Sequence, residues 1–383
     1  MTVRGAVWEV ANRLGVVAGT PAELLAALLA GPRRTVRVPL PPDHDLVRSL
    51  RGLGYVDVVA DEAPAPPPPA APVDLGDPAA VCAADPVLVT EAYEARPEPR
   101  GGLRPAWLRA GQSLVREQDP AQRALVLLAA LDDGADPHVV RALTERAAGA
   151  PWRLVDTSRE RCAALTTTPD GRLVVRGDRV LAVACPGDGR TLTLDERGRL
   201  HRAGPATRLT DAVAATLASH PATALAALDG TVLTGDRMGT VHAFSLTGLD
   251  QSALHSGRVT ALTATAPPVT GPGAGAPPLA ASVVAYSGGA DGTVRAWRPG
   301  RPQGRRPVAR RSCPVVALHA AGGLLAVAWA DGLAELRHLR TGRTVPFRPG
   351  PRVRAVAVTP GGSLVVGLDD AVLCLAPAGR PAG

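Results

Sequence analysis

Lysine is absent from this 383-residue chain; all 42 of its basic residues are arginine. Such uniformity points to GC-rich coding before it points to any selected function. Aromatic residues are scarce as well, at 3% against 46% hydrophobic residues overall, so Ala, Val and Leu must pack the cores. The five cysteines, Cys82, Cys162, Cys185, Cys313 and Cys374, are an odd, scattered set with no C-x-x-C spacing. That excludes a disulfide framework and a zinc site and fits a reducing cytosol. Long apolar runs are missing too, since the most apolar window, 124–131, is too short to cross a bilayer. Glu9 and Asn12 interrupt the opening residues before a signal-peptide core can form. A cytoplasmic protein with no membrane partner is the expectation.

The common chemical signatures are also lacking. There is no G-x-x-x-x-G-K-[ST], H-E-x-x-H or G-x-S-x-G. Gly271-Pro-Gly-Ala-Gly is glycine-rich but has neither the lysine nor the following helix of a phosphate loop. Asp132-Asp-Gly-Ala-Asp136 lacks the spaced ligands and closing Glu of a calcium loop and reads as helix capping. No catalytic, cofactor-binding or metal-ligating residue is assigned, and no cofactor is expected.

What is present divides into four stretches. Residues 1–62 read as a small α/β domain. Thr20-Pro-Ala-Glu23 is a capping box opening a leucine-rich helix, Thr35-Val-Arg-Val alternates like a strand, residues 45–53 look helical, and 55–59 look like a second strand. Residues 63–74 are a proline-rich spacer. Residues 75–149 read as an all-helical domain, in which Asp85-Pro86, Asp119-Pro120 and Asp136-Pro137 each place a capping carboxylate before a first-turn proline. A further helix is expected over 103–117.

From residue 150 to 383 the pattern changes to short Val, Leu and Thr runs broken by Asp-Gly, Pro-Gly and Gly-Gly turns, the mark of an all-β repeat. Thr234-Gly-Asp-Arg-Met-Gly-Thr-Val-His-Ala-Phe aligns with Ser287-Gly-Gly-Ala-Asp-Gly-Thr-Val-Arg-Ala-Trp and with Val327-Ala-Trp-Ala-Asp-Gly-Leu-Ala-Glu-Leu. Independently, Thr168-Pro-Asp-Gly-Arg-Leu-Val-Val-Arg-Gly-Asp aligns with Thr359-Pro-Gly-Gly-Ser-Leu-Val-Val-Gly-Leu-Asp. Turn aspartates then fall at Asp178, Asp236, Asp291, Asp331 and Asp370. Their last two spacings, 40 (331 − 291) and 39 (370 − 331), match one four-stranded propeller blade. The long first spacing leaves room for a degenerate blade near 192–203. The last unit ends without a fourth strand, and Pro151-Trp-Arg-Leu-Val is the expected closing strand.

These repeats resemble the WD40 family of β-propellers, in a bacterial form, over about residues 151–383. The fold class expected is therefore multidomain, with an all-β propeller of five to seven blades following the α/β and helical segments. The resemblance is best between His255 and Trp297. It implies that His255, Ser287, Asp291 and Trp297 form a structural hydrogen-bonded tetrad rather than a catalytic triad. The Trp position holds Phe244, Arg337 and Leu375 in the other units.

The function expected is a non-catalytic scaffold or regulatory adaptor that uses the propeller to bind another protein. The competing reading is a propeller hydrolase with carboxylates at the channel mouth. Charge bears on the partner: the last 89 residues hold fourteen Arg against four acids. Arg301, Arg305 and Arg306, beside the proline- and glycine-rich loop 266–279, are the candidate partner-binding residues. With aromatics for base stacking so scarce, an acidic protein is expected ahead of nucleic acid.

Overall fold

The computed structural model describes residues 2–29, 34–38, 40–41, 44–54, 56–60, 73–95, 102–266, 283–304 and 306–379. They fall into two compact units: residues 1–154 with 348–352 and 378–383, and residues 155–347 with 353–377.

In the first unit the order is α1 (Val3–Leu14), α2 (Pro21–Leu29), β1 (Arg34–Val38), α3 (Asp45–Arg51), β2 (Val56–Ala60), α4 (Pro78–Ala83), α5 (Pro86–Ala95), α6 (Leu103–Leu114), α7 (Pro120–Ala130) and α8 (Pro137–Arg146). β1 and β2 pair in parallel. The expected Asp-Pro starts are used: Asp85, Asp119 and Asp136 accept from the N–H of Val87, Gln122 and His138 at 2.7, 2.8 and 2.8 Å. Asp77-Pro78 starts α4 in the same way. Thr20 caps Glu23 N–H at 3.2 Å, while the Glu23 carboxylate reaches past Thr20 to Gly19 N–H at 2.7 Å. α1, which the sequence analysis did not identify, is capped by Thr2 and ends on Gly15 at φ 67. The α/β and helical segments share this unit. Trp8 of α1 lies so close to Gly111 of α6 that an added Cβ would come within 2.0 Å of its ring. Buried Gln112 donates to Val16 C=O at 2.6 Å and accepts from Ala18 N–H at 2.9 Å. The proline-rich stretch 63–74 lies almost wholly outside the described residues.

The second unit is a β-propeller. Its elements are β3 (Trp152–Ser158, of which Val155–Ser158 belongs to this unit), β4 (Ala164–Thr167), β5 (Leu173–Arg176), β6 (Val180–Ala184), β7 (Thr191–Asp195), β8 (Leu200–Ala203), α9 (Arg208–Ser219), β9 (Ala224–Leu228), β10 (Thr231–Gly235), β11 (Thr240–Ser245) and β12 (Gly248–Ala253). Then follow β13 (Val259–Thr265), β14 (Val284–Gly289), β15 (Thr293–Trp297), β16 (Ala309–Arg310), β17 (Val315–Ala321), β18 (Leu324–Trp329), β19 (Ala334–His338), β20 (Thr344–Phe347), β21 (Val353–Val358), β22 (Leu364–Leu368) and β23 (Val372–Pro377). Among the described residues, five of its sheets have three or four strands: β6–β8, β9–β12, β13–β16, β17–β20, and β21–β23 with β3 on the outside. A two-stranded hairpin, β4–β5, fills one more position in the ring. The innermost strands, β4, β6, β9, β13, β17 and β21, neighbour one another in that order, and β21 returns to β4. The expected closing strand is thus in place as β3, and the ring has no open seam between its first and last inner strands.

The irregular spacing before Asp236 has a structural cause. The expected degenerate blade is β6–β8, and its turn aspartate is Asp195, which lies 41 residues (236 − 195) before Asp236. Asp178 is no counterpart of these. It lies between β5 and β6, where the chain leaves the hairpin after two strands and enters the next inner position. In place of a fourth strand after β8 the chain forms α9. Thr207 and Thr210 make a reciprocal capping box, and Val213 and Leu217 pack on Leu192, Leu194, Leu225 and Val232.

Candidate functional site

The turns between second and third strands order one end of the ring. Asp195 and Asp236 use one plan. One carboxylate oxygen accepts two turn N–H groups, those of Arg197 and Arg199 or of Met238 and Thr240, at 2.8–2.9 Å. The other oxygen meets a histidine six residues on, His201 at 2.8 Å and His242 at 3.2 Å. Gly239 and Gly292 complete their turns at φ 97 and 71. A side chain at either would come within 2.1 Å of the His255 carbonyl or 2.2 Å of the Arg311 carbonyl, where the chain enters the next blade.

Three of the four residues that the resemblance groups together meet in the β13–β16 blade. Ser287 Oγ lies 2.8 Å from His255 Nε2, and His255 Nδ1 lies 3.1 Å from Asp291 Oδ1. Trp297 is buried but outside this chain, its indole N–H donating to the Arg301 carbonyl at 3.0 Å. Thr293 takes part instead, donating its hydroxyl to Asp291 at 2.8 Å. Asp291 also accepts from the backbone N–H of Thr293 and Ser256. Burial lowers the His255 pKa against the opposing pull of Asp291. Burial raises that of Asp291, but hydrogen bonds from Thr293 and His255 outweigh it and hold the carboxyl below its ordinary value. A neutral imidazole donating to a carboxylate and accepting from Ser287 follows. The Ser–His–Asp order is that of a hydrolase relay, yet Ser287 and the His255 side chain are both 0% exposed. The buried network ties β14, β15 and the link into β13 together.

The inner strands enclose a central channel of about 620 Å³. Its wall is mostly Ala, Leu, Val and Thr, with Asp229 and Arg354 near its ends. His319 of β17 is buried in this wall. Both of its ring nitrogens face backbone N–H groups, that of Val358 at 3.1 Å and that of Thr167 at 3.4 Å. A neutral imidazole has one acceptor nitrogen, and the shorter contact makes it Nδ1. Nε2 then carries the proton and turns to Thr167 Oγ1 at 3.4 Å. His319 so joins three inner strands, β17, β21 and β4. Burial pushes its pKa down to about 4. Nothing in the local sequence, Leu318-His-Ala, marks this residue; only its place on an inner strand gives it a role.

The basic C-terminal end is less uniform than its composition implies. Arg311 pairs with Asp331 at 2.7 Å and lies over the Trp329 ring, Arg337 pairs with Glu335 at 3.3 Å, and Arg354 with Asp369 at 2.5 Å. Arg301 and Arg306 are exposed on the β15–β16 connection. Arg305 and loop residues 267–282 lie outside the described residues. The β13–β14 and β15–β16 connections leave the same end of their sheet, since Thr265 pairs with Val284 and Ala285 with Trp297.

No family model and no curated protein matches this chain. Among solved structures, the computationally designed Ika8 protein aligns at 18% identity over 56% of this chain and 70% of its own, with a TM-score of 0.36. The computationally designed Ika4 protein aligns at 23% identity over 41% and 91%, with a TM-score of 0.32. Among the described residues, no helix is long and apolar enough to cross a membrane, and no group of three or more His, Cys, Asp or Glu is placed to hold a metal ion.

Proposed function

We propose that this protein is a non-catalytic scaffold or regulatory adaptor whose WD40-like propeller binds an acidic protein partner in the cytosol. The observation that carries the reading is the wall of the channel. A propeller hydrolase needs carboxylates converging where substrate enters, whereas small apolar and hydroxyl side chains line this channel, with Asp229 as the one carboxylate among the described lining residues.

The proposed docking face is the end of the β13–β16 blade that carries the exposed Arg301 and Arg306, with Arg305 between them in sequence. Exposed arginines on a connection are not needed for blade packing, and they attract an acidic surface over roughly 8 Å at physiological ionic strength. Quantitative affinity capture with the full chain tests this. Capture should fall as salt rises, and the Arg301→Glu, Arg306→Glu and Arg305→Glu triple variant should lose it while its Tm stays within about a degree or two, as expected of surface changes. Capture by the triple variant at wild-type levels would move the docking face elsewhere. Turnover of a hydrolase substrate by purified protein would replace the scaffold reading.

A further inference from the structure

The β4–β5 hairpin is a blade that stops half-built, and a matching sheet in the same ring shows what it lacks. The Thr168–Asp178 stretch aligns with Thr359–Asp369, and the match is physical. Thr168 and Thr359 each accept, through Oγ1, the N–H of the residue four positions on, Arg172 and Ser363, both at 3.0 Å. Asp178 and Asp369 each pair with an arginine, Arg161 and Arg354. β5 thus corresponds to β22. There the likeness ends. The outer edge of β22 is covered by β23, with Val365 opposite Cys374 and Val366 opposite Leu373. Among the described residues β5 pairs with β4 alone, because the residues after Asp178 enter the next inner strand.

The register identifies the groups this leaves unpaired. Thr168 and Arg172 share a backbone bond at 2.9 Å, so every second residue from there, Val174 and Arg176, turns its peptide groups toward β4. Leu173 and Val175 turn theirs outward. Beside this edge runs a groove of about 590 Å³, bounded by Leu173–Arg176 on one side and by Cys185, Gly187 and Gly189–Thr191 on the other. That volume is within the roughly 300–1,000 Å³ of ligand clefts. Leu173 is exposed, and Arg176 donates to the Val175 carbonyl at 2.9 Å, lying across the edge.

We infer that β5 is a strand-addition site: an extended, acidic segment of a partner protein pairs with its outer edge and supplies the strand this blade lacks. The inference rests on the scaffold reading and names a second surface for it. Three observations select the occupant. Strand addition takes main-chain pairing for affinity and alternate side chains for specificity, and β23 on β22 is the same geometry filled from within the chain. Arg172, Arg176 and Arg190 line the groove against one lining carboxylate, Asp170. Asp170 pairs with Arg172, and Asp188 pairs with Arg190, which leaves the Arg176 guanidinium on a backbone carbonyl. A partner carboxylate would draw Arg176 off Val175 and open that carbonyl to pairing. The chain's own stretches 61–72 and 267–282 are interrupted by proline every few residues and cannot donate a continuous ladder. A second copy of β5 would bring the same arginines face to face. No aromatic ring lines the groove for a nucleic-acid base to stack on.

The test is selection of random nonapeptides, displayed on phage, against the immobilised full chain, followed by hydrogen exchange with the synthetic winner. The winners should be rich in Asp and Glu at alternate positions, rich in Val, Ile and Thr between them, and poor in proline. The winner should slow exchange of the Leu173 and Val175 amides, and Arg176→Glu should weaken it at least tenfold without lowering Tm. N-methylation of the peptide at alternate backbone nitrogens should abolish binding in one frame and spare it in the other. No enrichment, neutral or basic winners, or protection of amides away from β5 would overturn the inference. Partner capture that is lost in the Arg301, Arg305 and Arg306 triple variant but unchanged in Arg176→Glu would overturn it while leaving the scaffold reading standing.

Discussion

Three side chains of the ring, Asp291, Trp297 and His319, decide how it answers to mutation and to pH. Asp291 accepts from two backbone N–H groups and from Thr293 and is paired with His255, so Asp291→Ala strands several buried donors at once. Thermal or denaturant unfolding should report a loss of about 1–3 kcal/mol. Trp297 fills the interface with Leu233, Val241 and Val259, and Trp297→Ala should cost about 3–5 kcal/mol. The indole bonds to the Arg301 carbonyl rather than to Ser287, so the two losses should add within a few tenths of a kcal/mol. His319 sets the acid limit. Its folded pKa of about 4 lies below the ordinary 6.5, so the unfolded chain takes up a proton that the folded one refuses. Stability is intact above about pH 6.5 and falls as pH drops toward 4, by roughly 3 kcal/mol for this residue. A Tm-against-pH profile should show that decline, and His319→Gln should flatten it while lowering Tm at pH 7. An unflattened profile would place the acid sensitivity in other groups. What the residues reveal of this in sequence is uneven. Ser287 and His255 were singled out by the family resemblance, Ser287 within a repeated stretch and His255 outside any. Thr293 was not, because a turn threonine is ordinary until a carboxylate is folded onto it. His319 stands between Leu318 and Ala320 with no signal at all.

At the scale of elements, legibility followed local chemistry. Asp-Pro steps, glycine-closed turns and Val- and Leu-rich runs are short-range signals, and the helices and strands they announce are present. The blade β6–β8 was only half visible because its turn reads Asp195-Glu-Arg-Gly-Arg-Leu-His, without the Gly-Thr-Val of β11 and β15. Asp178 misled for the opposite reason. Its surroundings share Thr-Pro, Gly and Leu-Val-Val with those of Asp369 at the same spacing, and the path of the chain afterwards is what separates them. α9 was missed although Thr207-Arg-Leu-Thr210 is a capping box and Val213 and Leu217 share a face, because the all-β repeat reading of residues 150–383 left no place for a helix. The helix should be integral to the blade it covers. Leu217 is 3% exposed on the sheet, and Leu217→Ala should lower stability by about 2–5 kcal/mol. Loss of helical circular dichroism with an unchanged Tm would instead make α9 a dispensable cover.

At the scale of the whole molecule, the ring depends on how it is closed. The last sheet takes its outermost strand, β3, from the chain before the first inner strand, which removes an exposed edge that would otherwise invite aggregation. Such closure depends on pairs far apart in sequence, and the sequence could name a candidate for it but not fix its register. It also makes β5 distinctive, since the hairpin edge is left open where the opposite end of the same repeat is covered. The decisive measurement is hydrogen exchange at β23 in two proline variants of the full chain, one with Leu154→Pro and Asp156→Pro, the other with Val155→Pro and Thr157→Pro. Alternate peptide groups of a strand face its neighbour, so one pair removes the bonds to β23 and the other removes outward-facing groups. The amides of residues 372–375 should lose protection strongly in one variant and only weakly in the other. Equal, undiminished protection in both would mean that β3 does not close the ring.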